Sequence, residues 1–113
     1  MKKSSLYYEL FFDPARPQIT TLFETPFTKE IRITLHKGTT MKEHKTAFPI
    51  VIEMIDGAVD FGVNNEVILI KKGDLIALES NVPHNLRAQE NTIIRLTLTK
   101  SDLTSRVEKA ANL

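Results

Sequence analysis

Residues 38–57 constrain the fold of this chain most strongly, because they place His44 and a run of apolar residues between two glycines. In residues 49–56 nearly every side chain is apolar and often β-branched, and Glu53 is the only charge inside the run. This composition predicts a strand that is buried on one face and largely covered on the other. The pair Asp56-Gly57 that ends the run predicts a turn.

The segments that follow carry further strand signals. Residues 58–63 and 66–70 flank Asn64-Asn65, two residues that tolerate the positive φ angles of a tight hairpin loop. A second unit opens at Gly73, and a polar turn over residues 80–83 leads from its strand to His84. The remaining strand candidates alternate between apolar and polar residues: 19–23, 29–35 and 92–98. His36 lies opposite the apolar side of its strand, which predicts a surface residue at a strand end.

These signals predict about nine or ten short strands and one terminal helix from Ser101 to about Ala110. The fold class is therefore all-β, an antiparallel barrel or sandwich. We divide the chain into an N-terminal arm over residues 1–28, a barrel over residues 29–100, and a C-terminal helix and tail over residues 101–113.

Composition excludes several classes of function. The net charge is +1, so no strongly basic field indicates nucleic-acid binding. There is no cysteine, which excludes disulfides, thiolate zinc sites and cysteine nucleophiles. No apolar run is long enough for a membrane span, and the first residues are too short and too acidic for a signal peptide. We therefore expect a cytoplasmic protein.

Two histidine-bearing units, each opened by a glycine and separated by a hairpin, resemble the cupin superfamily of small RmlC-like barrels. Gly38, His44 and Gly57 fall on the first cupin motif, and Gly73 and His84 fall on the second. The departures from the two motifs are Thr46 in place of a histidine, Ile50 in place of a glutamate, and Glu79, Asn81 and Ala88. The resemblance covers roughly residues 29–98 and implies a jelly-roll, double-stranded β-helix barrel.

The resemblance also implies a site on the inner wall, where three histidines and a glutamate hold a divalent ion in metal-bearing cupins. Here His44 and His84 remain, Thr46 offers a neutral hydroxyl, and Ile50 offers no ligand atom. Neither Glu43 nor Glu53 replaces the glutamate by strand alternation. We therefore expect no tightly held cofactor. The alternative is a weakly bound divalent metal such as iron, manganese, nickel or zinc.

Three functions remain open at this point. The first is a barrel that binds a small polar or anionic molecule through His44, His84, Thr46 and Arg87. The second is a metal-dependent enzyme of the dioxygenase or sugar isomerase type with an irregular ligand set. The third is a dimeric scaffold that binds another macromolecule. Because half of the ligand set is missing and no nucleophile motif is present, the sequence favours a non-enzymatic role.

The first quarter of the chain is rich in aromatic residues, including Tyr7, Tyr8, Phe11, Phe12 and Phe23. A free arm should not expose so much apolar surface. Residues 6–12 form either a short first strand or an arm. In small cupins such N-terminal strands often cross to a second subunit, so the resemblance implies a homodimer.

Overall fold

The computed structural model describes residues 1–100, and the predicted terminal helix lies outside the described residues. Within residues 1–100 the chain forms nine β-strands and no helix. The strands are β1 (Gln18–Glu24), β2 (Thr28–Leu35), β3 (Thr40–His44), β4 (Ile50–Asp56), β5 (Ala58–Val63), β6 (Glu66–Lys71), β7 (Leu75–Leu78), β8 (His84–Ala88) and β9 (Thr92–Thr99).

The nine strands form two antiparallel sheets that face each other. One sheet has the order β1-β2-β9-β4-β7 and the other has the order β3-β8-β5-β6. From β2 onward the chain changes sheet at every connection except the β5–β6 hairpin, which makes six crossings between the two sheets. This arrangement confirms the predicted all-β jelly-roll barrel.

The core lies between the sheets and is built by strand alternation. On β4, Ile50, Ile52 and Met54 are buried and face inward, whereas Val51 and Glu53 face outward. The same alternation buries Leu86 on β8 and Phe61 on β5. The prediction that the side chains of Glu53 and Ile50 lie on opposite faces of the strand is therefore confirmed.

Three predicted turns have the backbone that their residues favour. Asn64 and Asn65 join β5 to β6 with φ angles of 52° and 61°. Gly57 has a φ angle of 89° where the chain leaves β4. Asn81, which stands where the second cupin motif has a glycine, has a φ angle of 62°. Asparagine tolerates this left-handed conformation, which explains how the turn before His84 forms without glycine.

The N-terminal residues 6–12 form no strand and lie instead on the outer face of β2. Nη1 of Arg32 donates to the carbonyls of Leu6 at 3.3 Å and Tyr8 at 2.7 Å. The Thr34 hydroxyl donates to the carbonyl of Phe11 at 2.7 Å. The sequence predicts that this face of β2 is wet or meets a partner, but the arm of the same chain covers it. Arg32 and Thr34 are buried as a result.

No helix within residues 1–100 has the length and hydrophobicity that crossing a bilayer requires.

Candidate functional site

His44 and His84 lie side by side on neighbouring strands. His44 ends β3, His84 begins β8, and the two residues are cross-strand partners. Their ring centroids are 4.3 Å apart and the rings are tilted by 59°. His44 is exposed, whereas His84 is 3% exposed, so the pair extends from the surface into the barrel. The predicted convergence of the two histidines is therefore present.

Backbone carbonyls fix the orientation of both rings. Nδ1 of His44 lies 2.7 Å from the carbonyl oxygen of Lys42, and Nδ1 of His84 lies 2.9 Å from that of Val82. A carbonyl oxygen accepts only, so Nδ1 carries the proton in each ring. In the neutral imidazole the remaining nitrogen, Nε2, is then an acceptor. The pair therefore carries two hydrogen-bond acceptors, one on each of two adjacent rings.

The two rings border a small cavity of about 40 Å³ that is partly open to solvent. Its other lining residues are Thr46 and a set of aliphatic side chains: Ile33, Met41, Ile50, Ile52, Leu86, Ile94 and Leu96. Thr46 and Ile50, the residues that replace two ligands of the first cupin motif, thus face the same space as the histidines. A cavity of this size admits a group of only a few heavy atoms.

The side chains around this cavity do not fit the metal site that the resemblance implies. The Thr46 hydroxyl donates to the carbonyl of Phe48 at 3.0 Å, and Ile50 has no ligand atom. Glu43 and Glu79 are exposed, and Glu53 lies on the outer face beside Arg95, at 3.7 Å. Within residues 1–100 no group of three histidine, aspartate or glutamate side chains converges as metal ligands do. A stable site for such an ion needs three or four protein ligands, and this one offers two imidazoles.

His84 has a perturbed protonation equilibrium. Burial lowers the pKa of its imidazole, because removal from water disfavours the charged ring, and a charge on His44 would lower it further. The hydrogen bond to the carbonyl of Val82 acts in the opposite direction without cancelling the shift. The buried ring of Phe61 stacks on the imidazole of His84, with centroids 5.7 Å apart. The neutral form is therefore the form that the barrel favours.

This shift predicts a dependence of stability on pH. Because the folded pKa of His84 lies below the unfolded value of about 6.5, the unfolded chain binds more protons as the pH falls below about 6.5. The free energy of unfolding should therefore be highest above that pH and should decrease toward pH 5.5. Urea unfolding at several pH values measures this slope.

The substitution His84→Asn should flatten the slope, since it removes the titrating ring from the barrel. His36→Asn is the matched control, because His36 lies outside the cavity and its Nδ1 contacts only the Lys37 carbonyl within residues 1–100. An unchanged slope in His84→Asn would show that burial of this ring does not govern the acid side of the stability curve.

The structure does not bring Arg87 to the other predicted site residues. On β8, His84, Leu86 and Ala88 face inward, whereas Asn85 and Arg87 are exposed. The aliphatic lining was not predicted as part of the site, although alternation predicts that several of its members face inward. The pairing of strands that are far apart in the sequence decides which inward-facing residues line the cavity. No local sequence pattern carries that information.

No protein-family model matches this sequence, and no curated protein is significantly similar to it. Solved structures do match. An RmlC-like cupin protein from Desulfovibrio desulfuricans aligns with a TM-score of 0.79 and 22% identity over 88% of this chain and 96% of that chain. A cupin superfamily protein from Desulfitobacterium hafniense aligns with a TM-score of 0.73 and 8% identity over 80% and 83% of the two chains.

A conserved protein of unknown function from Streptococcus pyogenes aligns with a TM-score of 0.74 and 20% identity over 88% and 87% of the two chains. At these levels of identity the likeness shows the fold.

Proposed function

We propose that this chain, which has the cupin fold, binds a small molecule by a short, mainly apolar end that carries a hydrogen-bond donor, without a tightly held metal ion. The observation that supports the proposal is the pair of adjacent rings of His44 and His84, each with an Nε2 acceptor, in the lining of a mainly aliphatic cavity. Ligand sites commonly combine an apolar wall with a few convergent polar groups.

The protonation state of the two histidines favours a ligand that donates a hydrogen bond over an anionic ligand. The sequence alone is compatible with either a polar or an anionic ligand. With Nδ1 donating to a carbonyl in each ring, a neutral His44 and a neutral His84 can only accept from the ligand. A carboxylate would need protonated rings, and the lowered pKa of His84 opposes this above about pH 6.5. An alcohol can donate to one of the two Nε2 atoms, and a primary amide can donate to both.

The size of the cavity restricts which part of a ligand enters. About 40 Å³ holds only a few heavy atoms, so the rest of a larger molecule would lie at the mouth, where His44 is exposed. The Thr46 hydroxyl already donates to the carbonyl of Phe48, so it can act toward a ligand only as an acceptor. Among the residues that line the cavity, the two histidines determine the polarity of the group that enters, and the aliphatic side chains determine its size.

Three matched probes test the proposal. In ¹H-¹⁵N NMR titrations at pH 7.5, 1-butanol should shift the ring resonances of His44 and His84, because its hydroxyl is a donor. Butyl methyl ether has a similar apolar body without a donor, and butyrate replaces the donor with an anion. Both should bind at least ten-fold more weakly than 1-butanol. At pH 5.5 butyrate should gain affinity, since the lower pH brings the imidazole of His84 closer to protonation.

The substitution His84→Asn should weaken 1-butanol binding, whereas His36→Asn should leave it unchanged. Equal binding of 1-butanol and butyl methyl ether would contradict the role of the two acceptors. Tighter binding of butyrate than of 1-butanol at pH 7.5 would contradict the argument from protonation.

Weak ion binding is the second candidate, and one observation favours it. Metal-ligating histidines usually fix one ring nitrogen by a hydrogen bond to a carbonyl or a carboxylate, as both rings do here. Because only two ligands converge, we expect ZnCl₂ to bind in calorimetric titrations with micromolar or weaker affinity, and His84→Asn should abolish the binding. Stoichiometric iron or manganese in protein purified without an affinity tag, measured by elemental analysis, would instead support the metal-dependent enzyme.

A further inference from the structure

Within residues 1–100 the two sheets have four edge strands, and three of them are protected against pairing with another chain. A β-bulge between Thr21 and Phe23 interrupts β1. A second bulge interrupts β3, which also carries Lys42 and Glu43. The third protected edge strand, β7, has only four residues. Bulges, charges and short length are the usual means by which natural proteins keep sheet edges from associating.

The fourth edge strand, β6, has none of these features. It has six residues in unbroken pairing with β5, and its only charges are at its two ends, Glu66 and Lys71. Between them Val67 is 72% exposed, Ile68 40% and Leu69 59%. A regular, apolar and exposed edge strand is a template for strand addition.

The hairpin determines which backbone groups of β6 are free. In a two-residue hairpin the pair that flanks the loop, here Val63 and Glu66, is hydrogen-bonded, and the bonding then alternates along the strands. Residues 66, 68 and 70 therefore bond to β5, whereas Val67 and Leu69 direct their N–H and C=O groups to the open edge. Lys71 also faces away from β5, but its N–H donates to Asp74 Oδ2 at 2.9 Å.

We propose that β6 pairs antiparallel with β6 of a second copy of this chain, joining the two four-stranded sheets into one eight-stranded sheet. Around a two-fold axis, Val67 of each copy lies opposite Leu69 of the other, and the free N–H and C=O groups of these residues bond to each other. Ile68 then lies opposite Ile68 of the second copy.

Charge at the strand ends selects a second copy in this orientation. The strand begins with Glu66 and ends with Lys71, and Lys72 follows it. Antiparallel pairing places Glu66 of each copy diagonally across from Lys72 of the other, within reach of these long side chains. A parallel arrangement would place Glu66 beside Glu66, which is unfavourable. The apolar centre and the opposite charges at its ends make the strand complementary to itself.

Sedimentation velocity over a range of concentrations tests the association. The wild-type chain should sediment with twice its mass of 12.8 kDa. Leu69→Lys should weaken association at least ten-fold, because it places a charge in the apolar centre. The matched control is Leu75→Lys on the edge strand β7, where the side chain is 66% exposed, and this variant should remain dimeric. A monomeric wild type, a dimeric Leu69→Lys variant or a monomeric Leu75→Lys variant would overturn the proposal.

Single cysteines test the pairing itself, since the chain has no cysteine of its own. Residues opposite each other in a non-hydrogen-bonded pair have Cα atoms about 4.5 Å apart, which permits a disulfide, so Ile68→Cys should form an intermolecular disulfide under mild oxidation. The two copies of residue 69 are diagonal neighbours about 7 to 8 Å apart, so Leu69→Cys should crosslink much more slowly. Faster crosslinking of Leu69→Cys than of Ile68→Cys would contradict the proposed pairing.

Discussion

Phe61→Ala is expected to lower the free energy of unfolding by about 3 to 5 kcal/mol. Phe61 is the largest side chain among those that are fully buried, with 0% exposure, and it lies on β5 in the core between the two sheets. Its removal loses the transfer free energy of the ring and leaves a cavity that the paired strands cannot close. The total stability of a domain is about 5 to 15 kcal/mol, so this variant should be marginally folded.

Urea unfolding followed by far-UV circular dichroism measures this loss. Phe11→Ala is the matched control, because it deletes the same atoms from a side chain that is 59% exposed. We expect the control to change the free energy of unfolding by about 0.5 kcal/mol or less. Phe61→Leu should fall between the two, since it fills part of the cavity. A loss below about 1 kcal/mol in Phe61→Ala would show that the core around this ring is loosely packed.

Local patterns predict most strands of this chain, because burial on one face leaves an alternation that a short window can show. The alternation in residues 29–35 and 49–56 corresponds to β2 and β4, and Asn64-Asn65 corresponds to the hairpin turn. β3 and β8 are the exceptions, since neither is among the predicted strands. The five residues of β3, Thr40–His44, are mostly exposed and carry no apolar alternation, and they form a strand because they pair with β8, His84–Ala88.

The position of the N-terminal arm illustrates what local patterns omit. The aromatic residues of the arm indicate that it covers or meets a surface, but they do not indicate which one. Its attachment depends on Arg32 and Thr34, whose side chains reach backbone carbonyls more than 20 residues away along the chain. Backbone acceptors are present at every residue, so the sequence carries no specific signal for this contact.

The candidate site was predictable in part. The resemblance to the cupin motifs places His44 and His84 together, and the structure has them as cross-strand partners. The placement of Arg87 in the site was wrong, because a residue three positions from His84 on the same strand faces the opposite side. The ring tautomers were not predictable, since they depend on the carbonyls of Lys42 and Val82 in the folded chain.

Gly57→Ala is expected to be the most destabilising glycine substitution among those that the structure allows us to compare. Gly57 has a φ angle of 89°, and a Cβ built there would lie 2.5 Å from the Asn91 carbonyl oxygen and 2.8 Å from Cα of Thr92. Both contacts are to backbone atoms, so no side-chain rotation relieves them. Thr92 is 0% exposed, and its hydroxyl donates to the Glu90 carbonyl, so its own position is fixed.

Gly73→Ala separates the two causes of this loss. Gly73 has a similar φ angle of 93°, but a Cβ there meets no atom within 4 Å among residues 1–100. This control should lose about 1 to 2 kcal/mol from backbone strain alone. Gly57→Ala adds the steric conflict where the chain passes from one sheet to the other, worth about 1 to 3 kcal/mol more. Equal urea midpoints for the two variants would contradict this expectation. They would show that the turn at Gly57 can move away from Thr92, so that contact with the start of β9 does not determine the conformation at Gly57.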